Sequence, residues 1–458
     1  MTGPPSRLVC AGCGAEPGPS EPFPFRCPNA GEGDVDHVLR RELDLAAVRF
    51  PSASGDHEPN PFIRYRELLH AYHLGLDDAD FCELVARLDR SVAGVDGRGF
   101  RMTPFARSDE LSDRLGFSPE GGVWVKDETG NVSGSHKARH LFGVLLYLEA
   151  AEQLGIADRH RRPGLAIASC GNAALAAAVV AAAGGRALHV FVPVDADPVV
   201  VARLEELGAH VVACRRDGEP GDPSYRRLLQ ALDEGAVPFT CQGNLNGLAI
   251  EGGQTIGWEI ASAGVAPDRV VVQVGGGALA SACVHAFREV AALGAIPAPP
   301  RIDTVQTEAA WPLKRAFDAV SERRDLAYAR AHRSQFMWPW EREPHSIARG
   351  ILDDETYDWL AVVEGMLATG GNPLVVGEET LADANELGRE ATGIDVDPTG
   401  SAGLAGLLAL RNAGGVGDDE RVAVLFTGVV RRHQTEERSR DEKLSRTRHP
   451  VAQGLRAG

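Results

Sequence analysis

The chain has 458 residues, 44% of them hydrophobic and 24% charged, so it is long enough for two or three domains with full-sized cores. Its formal net charge of −17 argues against nucleic acid or an anionic membrane as a partner, because either would favour a basic surface. No run of about 18 apolar residues occurs, which predicts no membrane span. The start of the chain lacks the pattern of a secretory signal, and the eight cysteines are mostly scattered, so we expect a cytoplasmic protein.

In chain order, the pattern changes from irregular to helical and then to alternating strands and helices. Residues 1–60 are rich in Pro, Gly and Ser and show little periodicity, whereas about 60–95 has a helical pattern. We then predict strands at 122–128, 165–169, 187–194, 210–214, 269–274 and 422–426, and helices at 137–155, 172–185, 198–208 and about 278–293. Runs that are apolar on both faces and alternate with helices indicate parallel sheets covered on both sides.

Three turns between a predicted strand and a helix carry unusual residues. Ligands of open α/β sheets bind beyond the carboxyl ends of the strands, where helices begin. The first turn, Ser133-Gly-Ser-His-Lys137, puts a lysine at a helix start, where the macrodipole disfavours a positive charge. A Schiff-base lysine reacts as the neutral amine, so this place suits that function.

The second and third turns are predicted anion sites. Free backbone N–H groups in Ser169-Cys-Gly-Asn172 would make a carboxylate cradle, and those in Gly275-Gly-Gly-Ala-Leu279 would close around a phosphate. Each turn alone has a plainer interpretation, a solvated lysine or an ordinary tight turn. The joint occurrence and order of the three turns favours a functional interpretation.

At this level of detail the sequence resembles one enzyme family. The motifs, in order, are SGSHK (133–137), SCGNA (169–173), Asn244 with EGGQTIGWEI (251–260), GGGAL (275–279), VQTEAAWPL (305–313), GIDVDPTGSAGLAGLLAL (393–410) and VLFTG (424–428). They resemble those of the tryptophan-synthase-β-like, or fold type II, family of pyridoxal-phosphate enzymes. That family includes threonine synthases, threonine and serine dehydratases, diaminopropionate ammonia-lyase and cysteine synthases. The resemblance spans about residues 100–430.

The resemblance implies a fold of two open, mostly parallel α/β domains with the cofactor between them, plus a small N-terminal cysteine-bearing element. We expect an N-terminal extension at 1–60, a large cofactor-binding domain at 61–135 and 240–430, a smaller mobile domain at 136–239, and a charged, disordered tail at 431–458. The family also implies a homodimer and a small amino acid as substrate.

The resemblance also implies roles for single residues. Lys137 would carry pyridoxal 5'-phosphate as a Schiff base and move the α-proton of the substrate. The cofactor phosphate would lie on the loop formed by Gly275, Gly276, Gly277 and Ala278. Asn172 would bond the cofactor's ring oxygen, Thr427 would face the pyridine nitrogen, and the loop Ser169, Cys170, Gly171 and Asn172 would hold the substrate carboxylate. A hydroxyl facing the pyridine nitrogen makes the ring a weaker electron sink, which suits loss of a β-substituent.

The N-terminal cysteines are candidate metal ligands. Cys10, Cys13 and Cys27 resemble half of a zinc ribbon that lacks its fourth cysteine, and His37 would complete a Cys3His set for structural zinc. A metal-free remnant held by packing is the alternative. If this element is peripheral, removing residues 1–50 should leave cofactor binding intact.

Four functions stay open on the sequence. The first is a lyase of the serine or threonine dehydratase or ammonia-lyase type, which VKDETG (125–130) favours. The second is a threonine-synthase-like phospho-lyase acting on O-phosphohomoserine or a related amino acid, in which Arg139 and His140 would bind the extra anion unless they are exposed helix residues. The third is a β-replacement synthase, and the fourth is a catalytically inactive relative, which the presence of Lys137 disfavours.

Overall fold

A computed structural model describes residues 4–18, 20–51, 58–216, 218 and 221–431. The strands are β1 (Ser6–Cys10), β2 (Leu39–Leu43), β3 (Phe105–Ser108), β4 (Gly122–Asp127), β5 (Leu165–Ala168), β6 (Leu188–Pro193), β7 (His210–Cys214), β8 (Val237–Pro238), β9 (Arg269–Gln273), β10 (Arg301–Thr307), β11 (Pro373–Val376) and β12 (Arg421–Phe426). Every strand predicted between 122 and 426 is present, with ends that differ by two residues or fewer.

The helices follow the same pattern. They are α1 (Pro61–Arg64), α2 (Asp78–Asp96), α3 (Asp109–Arg114), α4 (Lys137–Gln153), α5 (Asn172–Ala183), α6 (Pro198–Glu206), α7 (Pro223–Asp233), α8 (Leu248–Ser262), α9 (Ala278–Ala292), α10 (Pro312–Arg323), α11 (Leu326–Ala331), α12 (Trp359–Thr369), α13 (Glu378–Thr392) and α14 (Ala402–Asn412). Of the predicted tail, the structure describes Arg431, and 432–458 lie outside the described residues. In the part of the chain that the structure describes, every helix is too short or too polar to cross a bilayer.

Apart from β1 and β2, which pair with each other, the strands described form two separate α/β sheets, as predicted. The larger has the order β11-β10-β9-β12-β4-β3 and is parallel except for the edge strand β3. The smaller has the order β7-β6-β5-β8 and is parallel throughout. Central strand β9 is buried along its whole length, as expected for a strand covered on both faces. The strands of the larger sheet come from residues 105–127 and 269–426, and those of the smaller sheet come from residues 165–238 between them.

Helix α4 passes through the interior rather than along the surface. Its side chains are buried from Ala138 to Ala151 on all sides, not only on the face of Leu141, Leu145 and Leu148. It packs against α8, and glycine makes that contact possible: a Cβ on Gly252 would lie 2.1 Å from the carbonyl oxygen of Arg139. The two backbones are therefore in contact, and this close packing explains why glycine occurs in the EGG portion of the 251–260 motif.

Two parts of the N-terminal region differ from the sequence prediction. Strands β1 and β2 form an antiparallel hairpin inside the segment that shows little periodicity. The helical pattern after residue 60 breaks into α1 and two 3₁₀ turns, Arg66–Leu68 and His70–Leu74. The reason is tertiary: the N–H of His70 donates to the carboxylate of Glu251 on α8 at 2.8 Å instead of to a carbonyl of its own helix.

Candidate active site

The predicted lysine and threonine lie side by side at the carboxyl edge of the larger sheet. Lys137 is the first residue of α4 and is half-buried. The backbone N–H of the preceding residue, His136, donates to the carbonyl of Thr427 at 3.1 Å. Thr427 follows β12, and its hydroxyl oxygen accepts a bond from Nε2 of Gln273 at 2.8 Å. Three adjacent parallel strands, β4, β12 and β9, therefore bring these groups together.

The glycine turn follows β9 at the same edge and opens α9. Gly277 has φ +94°, and α9 begins without a side-chain cap, so the first N–H groups of this helix lack a side-chain partner. A Cβ on Gly275 would lie 2.2 Å from Oδ2 of Asp353, and Gly276 donates its N–H to the same carboxylate. Only glycine fits such a loop, and one of its amides, that of Gly276, already binds a carboxylate oxygen.

The third turn joins β5 of the smaller sheet to α5. Helix α5 begins at Asn172, again without a side-chain cap. Gly171 faces open space, since a Cβ there would meet no atom within 4 Å, and Cys170 is exposed. The N–H of Gly171 donates to the hydroxyl of Ser169 at 3.4 Å. The loop thus presents backbone donors to an open cleft.

Asn172 is held by two residues outside the smaller sheet, Arg431, which lies beyond β12, and Asp397, which precedes α14. Its Oδ1 accepts two bonds from Arg431, from Nε at 3.1 Å and Nη2 at 2.7 Å. Its Nδ2 donates to Asp397, and a Cβ on Gly428 would lie 2.8 Å from that Nδ2. Because the oxygen is fully used by Arg431, the carboxamide has only an N–H left to offer a ligand.

Two carboxyl groups, those of Asp353 and Asp358, lie within electrostatic reach of Lys137. Burial raises the pKa of Asp353 to about 6, although the positive charge of Lys137 opposes the rise. Burial likewise raises the pKa of Asp358 to about 7, against the N–H of Gly243 and the charge of Lys137. Tyr357 lies between these two aspartates in sequence, and its ring stacks on that of Tyr225 of α7 with centroids 5.8 Å apart. These carboxyl groups belong to 351–358, a segment that the sequence analysis did not single out.

Arg139 and His140 do not reach the cleft, and neither is exposed. Both side chains are fully buried. Arg139 donates to the carboxylate of Glu128 at 2.7 and 2.9 Å and to that of Glu259 at 2.5 Å, and Nδ1 of His140 contacts the carbonyl of Ala249 at 2.8 Å. Burial raises the pKa of Glu259, but Arg139 and Lys126 outweigh it and hold that pKa below its ordinary value. The anion-binding interpretation of Arg139 and His140 is therefore wrong, because their partners are internal.

Four residues of the site were missed. Arg431 was assigned to the tail, Asp397 lay in the 393–410 motif without a role of its own, and Asp353 and Gln273 were not considered. One sequence signal was available for Gln273, which is a polar residue at the end of the most apolar strand.

The four candidate metal ligands do lie together. One ligand atom from each of Cys10, Cys13, Cys27 and His37 is within 4.8 Å of the others.

The residues present fit pyridoxal phosphate. A phosphate needs N–H groups with no Cβ in the way, and the glycine loop 275–277 at the uncapped start of α9 offers them, where the Gly276 amide already binds an anionic group, the carboxylate of Asp353. The cofactor also requires an amine near its phosphate. Lys137 provides one, since its charge acts on Asp353, and the carboxylate of Asp353 contacts the glycine loop. A donor for a ring oxygen is present in Asn172, and a hydroxyl for a ring nitrogen in Thr427.

Comparison with known proteins identifies the family. Residues 98–428 match the sequence profile of the family "Pyridoxal-phosphate dependent enzyme", and the chain belongs to it. It is 28% identical over 332 residues to a threonine synthase of Methanosarcina acetivorans, covering 71% of this chain and 74% of that one. The chain is therefore a pyridoxal-phosphate-dependent lyase.

Solved structures share the fold at lower identity. Maize serine racemase superposes with a TM-score of 0.60 at 19% identity, covering 80% of this chain and 99% of the other. Diaminopropionate ammonia lyase from Escherichia coli superposes with a TM-score of 0.56 at 18% identity, covering 81% and 93%. Identities this low support the architecture and not a particular reaction.

Proposed function

We propose that this enzyme removes the β-substituent of a polar amino acid, as serine and threonine dehydratases and ammonia-lyases do. The observation that carries the proposal is the pair of Thr427 and Gln273. Gln273 donates from Nε2 to the Thr427 hydroxyl oxygen at 2.8 Å, so the hydroxyl hydrogen is free to point at a ring nitrogen. A neutral hydroxyl donor leaves that nitrogen unprotonated, which limits electron withdrawal and favours departure of a β-substituent over prolonged carbanion chemistry.

When bound, pyridoxal phosphate supplies the electron withdrawal that acidifies the α-carbon of the amino acid attached to it. The chain supplies the remaining functions. Lys137 would hold the cofactor covalently and, once displaced by the substrate, its amine would take the α-proton. The amides of 275–277 would bind the phosphate, while Ser169 and the amides of 170–172 would grip the substrate carboxylate. Asn172 would donate its remaining N–H to the ring oxygen.

A second candidate is elimination of phosphate from a phosphorylated amino acid, as the similarity to threonine synthases suggests. One observation favours it: the exposed Arg349 lies within electrostatic reach of Cys170, where burial and the carboxylates of Asp222 and Asp195 raise the pKa of the thiol and the charge of Arg349 opposes that rise. Arg349 would thus be the cation for a distal phosphate at the mouth of the cleft. Arg139, which is internal, cannot play that part.

A substrate panel tests both candidates. The purified enzyme is mixed with serine, threonine, diaminopropionate, O-phosphoserine and O-phosphohomoserine, and 2-oxo acid, ammonia, phosphate and threonine are measured. Formation of 2-oxo acid and ammonia from an unphosphorylated amino acid supports the first candidate. Phosphate release with threonine formation, and a KM for O-phosphohomoserine that rises in Arg349→Met, supports the second. Absence of any product, with cofactor bound, contradicts both.

Two further assignments belong to the proposal. The cytoplasm as its compartment is supported by all eight cysteines being free thiols. The homodimer stays a prediction from the family. A structural zinc ion at the N-terminal cysteines is proposed in addition, and it takes no part in the reaction.

A further inference from the structure

The ligand atoms of the N-terminal cysteine cluster all lie within 4.8 Å of one another, and two of the distances between them match a tetrahedral zinc site. Sγ of Cys13 lies 3.6 Å from Sγ of Cys27, and Sγ of Cys10 lies 3.7 Å from Nδ1 of His37. Ligand atoms at the corners of a zinc tetrahedron are separated by about 3.3–3.8 Å, given the usual zinc–sulfur and zinc–nitrogen bond lengths. The four residues come from three separate segments of the chain, so local sequence does not force them together.

The groups around the cluster suit bound metal rather than a packed remnant. Nε2 of His37 contacts the carbonyl oxygen of Glu32 at 3.0 Å, which leaves Nδ1 as the metal-facing atom. The backbone N–H of Asn29 donates to Sγ of Cys27 at 3.4 Å, and Nδ2 of Asn29 lies 3.6 Å from Sγ of Cys13. Donors directed at sulfur stabilise thiolates, the form that binds zinc.

We propose that Cys10, Cys13, Cys27 and His37 bind one zinc ion, and that this ion supports the loop that receives the cofactor phosphate. The zinc site itself is independent of the proposed function. Its supporting role rests on that function, because it concerns binding of pyridoxal phosphate.

The supporting role follows from a short chain of contacts that starts at the cysteine turn. A Cβ on Gly12, between the first two cysteines, would lie 2.2 Å from the carbonyl oxygen of Asp36, so the turn presses directly on that residue. Asp36 donates its N–H to the carbonyl of Arg330 at 2.9 Å. Its carboxylate accepts from Nε1 of Trp359 at 3.1 Å and pairs with Arg333 at 3.3 Å.

The next contacts reach the glycine loop. Trp359 follows Asp358, whose N–H donates to the carbonyl of Gly276 at 3.1 Å. The hydroxyl of Thr356 donates to the carbonyl of Gly275 at 2.9 Å. Segment 356–359 is thus held by residue 36 on one side and holds the glycine loop on the other. The N-terminal element is not peripheral, and removing residues 1–50 should impair cofactor binding instead of sparing it.

Metal analysis tests the site. Full-length protein, purified with its cofactor, is given one equivalent of zinc and desalted, and its zinc content is measured by mass spectrometry. We expect about one zinc ion per chain, and cobalt(II) in its place should show the visible bands of tetrahedral thiolate coordination. Cys13→Ser should lose the metal, and Cys82→Ser, a free cysteine on α2, should keep it. Wild-type protein without zinc, or with a disulfide between Cys13 and Cys27, overturns the proposal.

Cofactor affinity tests the supporting role. The dissociation constant of pyridoxal phosphate is measured on the wild type, Cys13→Ser and Cys82→Ser from the cofactor absorbance. We expect Cys13→Ser, and not Cys82→Ser, to bind pyridoxal phosphate about tenfold more weakly than the wild type. A loss of this size corresponds to roughly one or two hydrogen bonds at the glycine loop. Equal constants in the three proteins overturn the supporting role. Zinc in the wild type and in Cys82→Ser, with cofactor in none of the three proteins, contradicts the proposed function and leaves the zinc site standing.

Discussion

Replacing Arg139 tests whether this residue belongs to an internal charge network or binds the substrate. Methionine matches the length of the arginine stem but has no charge and no donor. The side chains of Arg139 and Glu128 are 0% exposed and that of Glu259 is 1% exposed. In Arg139→Met, Glu259 keeps Lys126 as a partner, whereas the nearest cation to Glu128 becomes Lys126 at 3.9 Å. The substitution therefore leaves a buried carboxylate without an adequate counter-charge.

The expected loss of stability is large. Removing one partner of a buried ion pair costs about 3–5 kcal/mol, because the other charge stays buried. At about 2 °C per kcal/mol for a large chain, the midpoint of thermal unfolding should fall by roughly 6–10 °C. The matched control is Arg203→Met, because Arg203 pairs with Glu206 on the exposed face of α6 and such a pair is worth about 1 kcal/mol or less.

Circular dichroism during heating measures the midpoints, and steady-state kinetics at low temperature measure KM for the best substrate of the panel. We expect a lower midpoint and an unchanged KM in Arg139→Met. A midpoint within about 2 °C of the wild type, together with a raised KM for a phosphorylated amino acid, would refute the assignment of Arg139 to the internal network.

Three further predictions concern the cleft itself. Lys137→Ala should lack both the absorbance band of the covalently held cofactor and all turnover, and retained activity would contradict its role. Burial raises the pKa of Asp353 to about 6, so at higher pH its carboxylate is charged and repels a phosphate at Gly276. Wild-type affinity for pyridoxal phosphate should therefore fall as the pH rises through that value, and the dependence should be much weaker in Asp353→Asn; parallel pH profiles would exclude this explanation. Arg431→Gln should lower kcat by about tenfold by releasing the carboxamide of Asn172, without a change in the unfolding midpoint, and Arg431→Lys should recover part of the loss. A wild-type kcat in Arg431→Gln would show that Asn172 needs no such partner.

Most of the framework could be predicted from the sequence because its signals are local. Strands of a covered parallel sheet are continuous apolar runs, as in β9 and β12, and these were located to within two residues. The three candidate turns were located for the same reason, since each follows an apolar strand and precedes a helix. Parallel strands end at a common edge, so the proximity of Lys137, Thr427 and the glycine loop follows from the order of the elements.

Tertiary structure decided the partners of individual polar side chains. Nothing adjacent in sequence indicates that Arg139 faces Glu128 and Glu259 in the interior, or that Arg431 holds Asn172 across the cleft. The helical pattern after residue 60 was interrupted by a carboxylate from α8, almost two hundred residues further along the chain. Such choices depend on which surfaces meet when the two sheets and α4 pack together. A buried charge needs a partner, and tertiary packing determines which residue lies close enough to be that partner. The periodicity of the sequence therefore does not predict it.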